Sequence, residues 1–310
     1  MNKVRIVFMG TPVISSVVLE ALIKAGYDIV GVVAQEDKPV GRKKILEKVP
    51  TKVIAEKYNI PVFQPKKIRL DYEFMKELNP DLIITLAYGQ IVPQGLLDIP
   101  RLGALNLHGS LLPKYRGAAP MQYALINNDK VTGMTLMQMI DKMDAGLMYA
   151  KKEVGIEPKD TLSSLTIKMT KCAEELILEA LPLYLEGKLK GEEQDESKVS
   201  ICPTIKQEQE HLSLLDGKER LIGWVRALND HPGAYLYLDD IKIKIWEAEV
   251  LNDVVNHEVG EIVSADKNGL IMQAKDGQIK LLVLQKEGKN KMDYKSFING
   301  MQNLKGKILH

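Results

Sequence analysis

Leu82-Ile83-Ile84-Thr85-Leu86-Ala87 is an apolar run broken only by one hydroxyl, set between Pro80-Asp81 and Tyr88-Gly89. A strand with one wet face alternates apolar and polar side chains, whereas a strand covered on both faces has no need to. Similar short runs occur near Val4 to Met9, Ile29 to Ala34 and Ala104 to Leu107, with helix-like segments between them. That rhythm predicts an α/β fold built on a Rossmann-like open, mostly parallel sheet. Ligands of such sheets collect beyond the carboxyl ends of the strands.

At one such end lies Asn106-Leu107-His108-Gly109-Ser110-Leu111-Leu112-Pro113-Lys114-Tyr115-Arg116-Gly117-Ala118-Ala119-Pro120. Side chains alternate along a strand, so Asn106 and His108 share one face and can act on one ligand. Taken alone, an Asn and a His at a strand end serve equally well to cap the next loop or to satisfy buried groups. Gly10-Thr11-Pro12 separates the first strand from the first helix, with Thr11 expected as its cap and Pro12 as its first residue. The segment lacks G-x-G-x-x-G, so a pyrophosphate has no close backbone approach and a nicotinamide cofactor is disfavoured.

Further along, Leu162, Leu165, Met169, Ala173, Leu176, Ala180 and Tyr184 recur at helical spacing behind Asp160 and Thr161, either of which can cap. Glu186 to Ser200 is rich in Lys, Glu, Gly and Asp, the composition of a solvated linker. The expected division is a first domain over 1–189, a linker over 190–205 and a second domain over 206–310. One helical pattern with Leu221, Ile222, Val225 and Leu228 opens the second domain. Short strands follow, separated by Asp239-Asp240, Asn268-Gly269 and Asp276-Gly277, which predicts a small β-barrel.

The chain has 310 residues and a formal net charge of +1, so nothing global marks a nucleic-acid binder and any RNA contact must be local. Cys172 and Cys202 lack the paired spacing of a zinc site and are too few for a disulfide scaffold. The five histidines are scattered, and no metal is expected. No leader pattern and no long uncharged apolar span is seen, so a cytoplasmic protein without a membrane segment is the expectation.

Three further stretches carry two readings each. Asp141-Lys142-Met143-Asp144-Ala145-Gly146 is an ordinary turn by its chemistry, or a carboxylate brought to the strand ends. Gln35-Glu36-Asp37-Lys38-Pro39-Val40-Gly41-Arg42-Lys43-Lys44 is a basic surface loop, or cations suited to a phosphate-rich partner. From Asp276 onward seven lysines stand against three acids, a solvated face or a second RNA contact.

The stretch Asn106 to Pro120 resembles the core motif of the folate-dependent formyltransferases, and specifically of their methionyl-tRNA formyltransferase branch, with a resemblance that extends over nearly the whole chain. That likeness implies transfer of a formyl group from 10-formyltetrahydrofolate to the α-amino group of methionyl initiator tRNA. It implies catalytic roles for Asn106, His108 and Asp144. It makes the loop Ser110, Leu111, Leu112, Pro113 and the strand end Leu86, Tyr88, Gly89, Gln90, Ile91 the walls of the folate site. Arg42, Lys43 and Lys44 fall in the loop by which this branch holds the tRNA acceptor end, and the C-terminal barrel becomes an oligonucleotide-binding-like (OB-like) domain that contacts tRNA. The chain departs from the usual pattern at Glu36, Lys43 and Leu147. The implied partners are tRNA and the folate co-substrate, with the protein a monomer. Three rivals remain: a formyltransferase for an amino sugar nucleotide, whose catalytic residues would look the same, a glycinamide ribonucleotide formyltransferase, which leaves residues beyond about 205 unexplained, and a non-catalytic RNA-binding protein on the same fold.

Overall fold

The computed structural model describes residues 3–40 and 45–310. They form two compact units, the first from residues up to Ala118, Thr132–Gly155 and Thr166–Cys202, the second from Ala119–Val131, Ile156–Leu165 and Pro203–His310. Compactness therefore groups 119–131 and 156–165 with the C-terminal part, a different partition from the continuous division at 189 and 205.

In the first unit, Arg5–Gly10, Asp28–Val33, Val62–Phe63, Leu82–Leu86, Ala104–His108, Val131–Gln138 and Met148–Gly155 build a seven-stranded sheet. Arg5–Gly10 runs parallel to both Asp28–Val33 and Leu82–Leu86, and Leu82–Leu86 parallel to Ala104–His108. Val131–Gln138 then joins Ala104–His108 antiparallel. All five residues of Leu82–Leu86 are buried, as a strand covered on both faces requires. Burying Leu82, Ile83 and Ile84 stabilises by roughly 1.5–3 kcal/mol each, which outweighs any local preference of the segment. On one side Val7, Met9, Val33 and Ile83 pack with Met75, Leu96 and Val92. The Val13–Lys24 helix buries Val18, Leu19 and Leu22.

That helix begins one residue later than expected. Pro12 is its N-cap residue, with no side-chain cap. Thr11 Oγ1 instead donates to Tyr88 O at 3.1 Å and accepts from Gln35 N at 3.2 Å, because two neighbouring strand ends offer backbone partners that the helix does not need. The long helix spans Leu162–Leu185, buries Leu165, Met169, Ala173, Leu176 and Ala180, and has Thr161 Oγ1 accepting from Ser164 N at 3.4 Å.

In the second unit an antiparallel sheet runs Ala234–Leu238, Ile241–Asn252, Gly277–Lys286, Gly269–Ala274, Ile262–Asp266. The turns fall at Asp239-Asp240, Lys267-Asn268 and Lys275-Asp276, the last two one residue earlier than the sequence suggests. The C-terminal residues close the sheet into a barrel. Tyr237 and His310 exchange backbone hydrogen bonds at 2.7 and 2.9 Å, while Ile262 N donates to Lys307 O and Leu309 N to Gly260 O, both at 2.8 Å. Both sheet edges are thus paired by one segment, which removes the exposed donors and acceptors of an open sheet. The Lys218–Ala227 helix packs on Pro120–Ile126, and Gly223 allows the approach, since a Cβ there would lie 2.5 Å from Ile126 O.

Candidate active site

Asn106 sits in register with Thr85 of the neighbouring parallel strand. The buried Thr85 hydroxyl lies 2.9 Å from Asn106 Oδ1 and 3.1 Å from Leu105 O. With Oδ1 turned to Thr85, the Asn106 amide Nδ2 keeps both hydrogens and has no partner among the described residues. Threonine at the one polar position of the Leu82–Ala87 run therefore fixes the Asn106 amide, and its only trace in the sequence is that it interrupts an apolar strand.

His108 ends the same strand with its side chain 6 % exposed. Its Nε2 is 2.7 Å from Tyr115 O. A carbonyl only accepts, so Nε2 carries a hydrogen. Nδ1 faces Asp144 Oδ2 at 3.6 Å, beyond hydrogen-bond reach but close enough for direct electrostatic interaction. Both ring nitrogens thus look at acceptors. The structure brings together His108 and Asp144, and sets Asn106 two residues before His108 on the same strand.

Asp144 is itself held. Its Oδ2 accepts from Gly117 N at 2.9 Å, and its backbone is left-handed with φ of 49°. Such a conformation costs a non-glycine residue of order 1 kcal/mol and persists only where the surroundings impose it. Gly117 has φ of 125°, and a Cβ on it would lie 2.6 Å from Cys202 O, so the loop after the strand closes tightly on the 201–202 segment. Arg116–Gly117 pairs parallel with Ile201–Cys202.

Gln194 is the residue that sequence reading missed. Its Nε2 donates to Asp144 O at 2.8 Å and to Gly146 O at 2.9 Å, and its Oε1 accepts from Arg116 Nε at 2.9 Å. The buried Arg116 also pairs with Glu196 at 2.9 Å. Tyr115, at φ of 63°, gives its N–H to Ser200 Oγ at 2.9 Å. Residues 190–205, expected as a linker, thus supply the side chains that hold the loops around His108. No composition signal distinguishes a braced Lys/Glu-rich segment from a solvated one.

The expected walls of the folate site divide by exposure. Ser110 and Leu112 are fully buried, Leu112 against Met137 and Met148. Leu112 N donates to Thr135 Oγ1 at 3.1 Å, and the Leu112-Pro113 peptide is cis. Leu111 and Pro113 are half-buried. On the other strand end, Leu86 and Tyr88 are buried, and burial pushes the Tyr88 hydroxyl well above its ordinary pKa while leaving it without a hydrogen-bond partner. Gln90 braces the preceding loop, its Oε1 accepting from Ile68 N at 2.8 Å. Gly89 has φ of 91°, and Ile91 is exposed. Arg42, Lys43 and Lys44 lie outside the described residues, between strands Lys38–Val40 and Ile45–Glu47 that pair antiparallel. Among the described residues no group of three or more His, Cys, Asp or Glu is placed to hold a metal ion, and no helix is long and apolar enough to cross a membrane.

Residues 3–181 match the family model described as formyl transferase, and 204–302 match the formyl transferase C-terminal domain. This chain belongs to the formyl transferase family. A methionyl-tRNA formyltransferase of Lactobacillus acidophilus is 45 % identical over 297 residues, 95 % of each chain. Among solved structures, an N-formyltransferase of Helicobacter canadensis, in complex with folinic acid and dTDP-3-aminofucose, superposes with a TM-score of 0.70 at 18 % identity, covering 91 % of this formyl transferase and 99 % of that chain. HypX of Aquifex aeolicus, in complex with tetrahydrofolic acid, superposes with a TM-score of 0.64 at 18 % identity over 98 % of this chain and 49 % of its own. At such identities these two show the shared fold.

Proposed function

We propose that this formyl transferase moves the formyl group of 10-formyltetrahydrofolate to the α-amino group of methionine on initiator tRNA, in the cytoplasm and as a monomer. The observation that carries the reading is the 45 % identity to a methionyl-tRNA formyltransferase across 95 % of both chains. A folate donor is supported by family membership and by the tetrahydrofolic acid in one fold relative. The donor supplies a formyl carbonyl activated by its ring nitrogen; everything else falls to the chain. As the neutral amine attacks, the formyl oxygen gains charge and needs donors set in advance. Asn106 Nδ2, unpartnered beside the Thr85-anchored Oδ1, fits that need, and the His108 ring joins it by exchanging Tyr115 O for the formyl oxygen as the acceptor of its Nε2–H. Asp144, 3.6 Å from His108 Nδ1, sits where it can help carry the amine proton toward the departing nitrogen. The Ser110 to Pro113 loop and the Leu86 to Ile91 strand end enclose the pterin. In functional terms 1–189 is the catalytic part, 190–205 the connection and 206–310 the tRNA-binding barrel.

Formylation of methionyl-tRNA compared with an amino sugar nucleotide, using one donor, tests the reading; preference for the sugar would replace it. Arg42→Ala combined with Lys43→Ala and Lys44→Ala should weaken productive tRNA binding and flatten its salt dependence while donor affinity stays constant. An unchanged salt series would return this loop to a solvated surface.

A further inference from the structure

The His108 imidazole is held from two sides, and both holds lead to one segment. On the Nε2 side the acceptor is Tyr115 O, which also receives Cys202 Sγ at 3.2 Å, while Tyr115 N is tied to Ser200 Oγ. On the Nδ1 side stands Asp144, whose carbonyl and that of Gly146 both point at Gln194 Nε2. A primary amide carries two hydrogens on that nitrogen, so both carbonyls are satisfied by one side chain. The orientation is fixed from the far end: Oε1 faces the Arg116 Nε–H, and the flipped amide would set donor against donor. Arg116 is buried and anchored in turn by Glu196, whose carboxyl it holds below the usual carboxylate range.

We propose that Gln194 is a positioning residue of the transfer reaction, pinning the Asp141–Gly146 loop so that the left-handed Asp144 keeps its carboxylate beside His108. The proposal rests on the reading of Asp144 and His108 as catalytic. Gln194 touches neither substrate nor the reacting atoms. It acts by satisfying two carbonyls that would otherwise draw the loop toward solvent, and with it Asp144 away from the ring.

Two substitutions in the full chain separate positioning from simple packing. Gln194→Ala removes the donor and the volume. Gln194→Glu keeps the volume and still accepts from Arg116, but an ionised carboxylate has no hydrogen for either carbonyl. Both should lower kcat roughly tenfold, the scale of a misplaced catalytic group, while KM for donor and for methionyl-tRNA moves less than about twofold. The ¹⁵N resonances of the His108 ring should shift in both. Wild-type kcat in folded Gln194→Glu, or unmoved His108 resonances, would overturn the proposal, as would a loss confined to thermal stability. The ring resonances are read without turnover, so a wild-type protein that fails to formylate methionyl-tRNA sinks the functional reading while the brace is still decided.

Discussion

The Asn106–Gly117 loop and the Gln194–Cys202 segment meet at one site and could hardly differ more as sequence. The first carries an amide, an imidazole, a proline and two glycines in a pattern that no ordinary loop needs. The second reads as charged filler. Yet the second ties the first in place: Ser200 and Cys202 hold Tyr115, and Gln194 holds the Asp144 that faces His108. Residues that do chemistry are constrained by the substrate, which restricts their type. Residues that hold them are constrained only by geometry, and many side chains of either composition could serve.

The sharpest break of this comparison is His108→Ala. It removes the group that both regions converge on and should lower kcat by about 100-fold or more with the fold intact, as judged by circular dichroism. Wild-type turnover in the folded variant would leave the motif without its centre. Asp144→Asn keeps shape and the acceptor for Gly117 N but removes the charge. The expected loss is roughly 10- to 100-fold in kcat with donor affinity held, measured by steady-state kinetics and calorimetry. A change in donor affinity alone would move Asp144 from the reaction to the binding of folate.

The smallest effect belongs to the brace and is read by pH. The Ser197 hydroxyl first, then Lys198, hold the Asp195 carboxyl at about 2, below its ordinary 3.8. A depressed carboxyl stabilises the fold above the unfolded value and loses that contribution as pH falls through the folded one. The acid loosening of this segment should therefore develop between pH 3.8 and about 2, and Asp195→Asn should flatten it in thermal-melt midpoints taken across that range. Identical acid profiles for the two proteins would show that the 196–198 turn adds nothing to the brace.

Much of the site was legible because strand periodicity is local. Leu82–Leu86 had to be covered on both faces, and Asn106 and His108 had to fall on one side of a neighbouring strand. The helix over Leu162–Leu185 followed from spacing and its polar start in the same way. Thr11 was misjudged because two backbone groups from other strand ends claimed its hydroxyl. Gln90 shows the same limit: its side chain braces a loop through Ile68, 22 residues away in the chain.

By itself the sequence determined the buried parallel strands, the long helix over Leu162–Leu185 and the shared strand face of Asn106 and His108, because each depends on residue type and spacing within a few positions. Tertiary structure alone decided that Lys307–His310 closes the barrel, that Asp144 adopts a left-handed backbone against His108, and that Gln194 turns its amide toward two distant carbonyls. Those outcomes are satisfied hydrogen bonds between groups far apart in the chain. No local pattern records them, since every backbone offers the same donors and acceptors until folding chooses which ones meet.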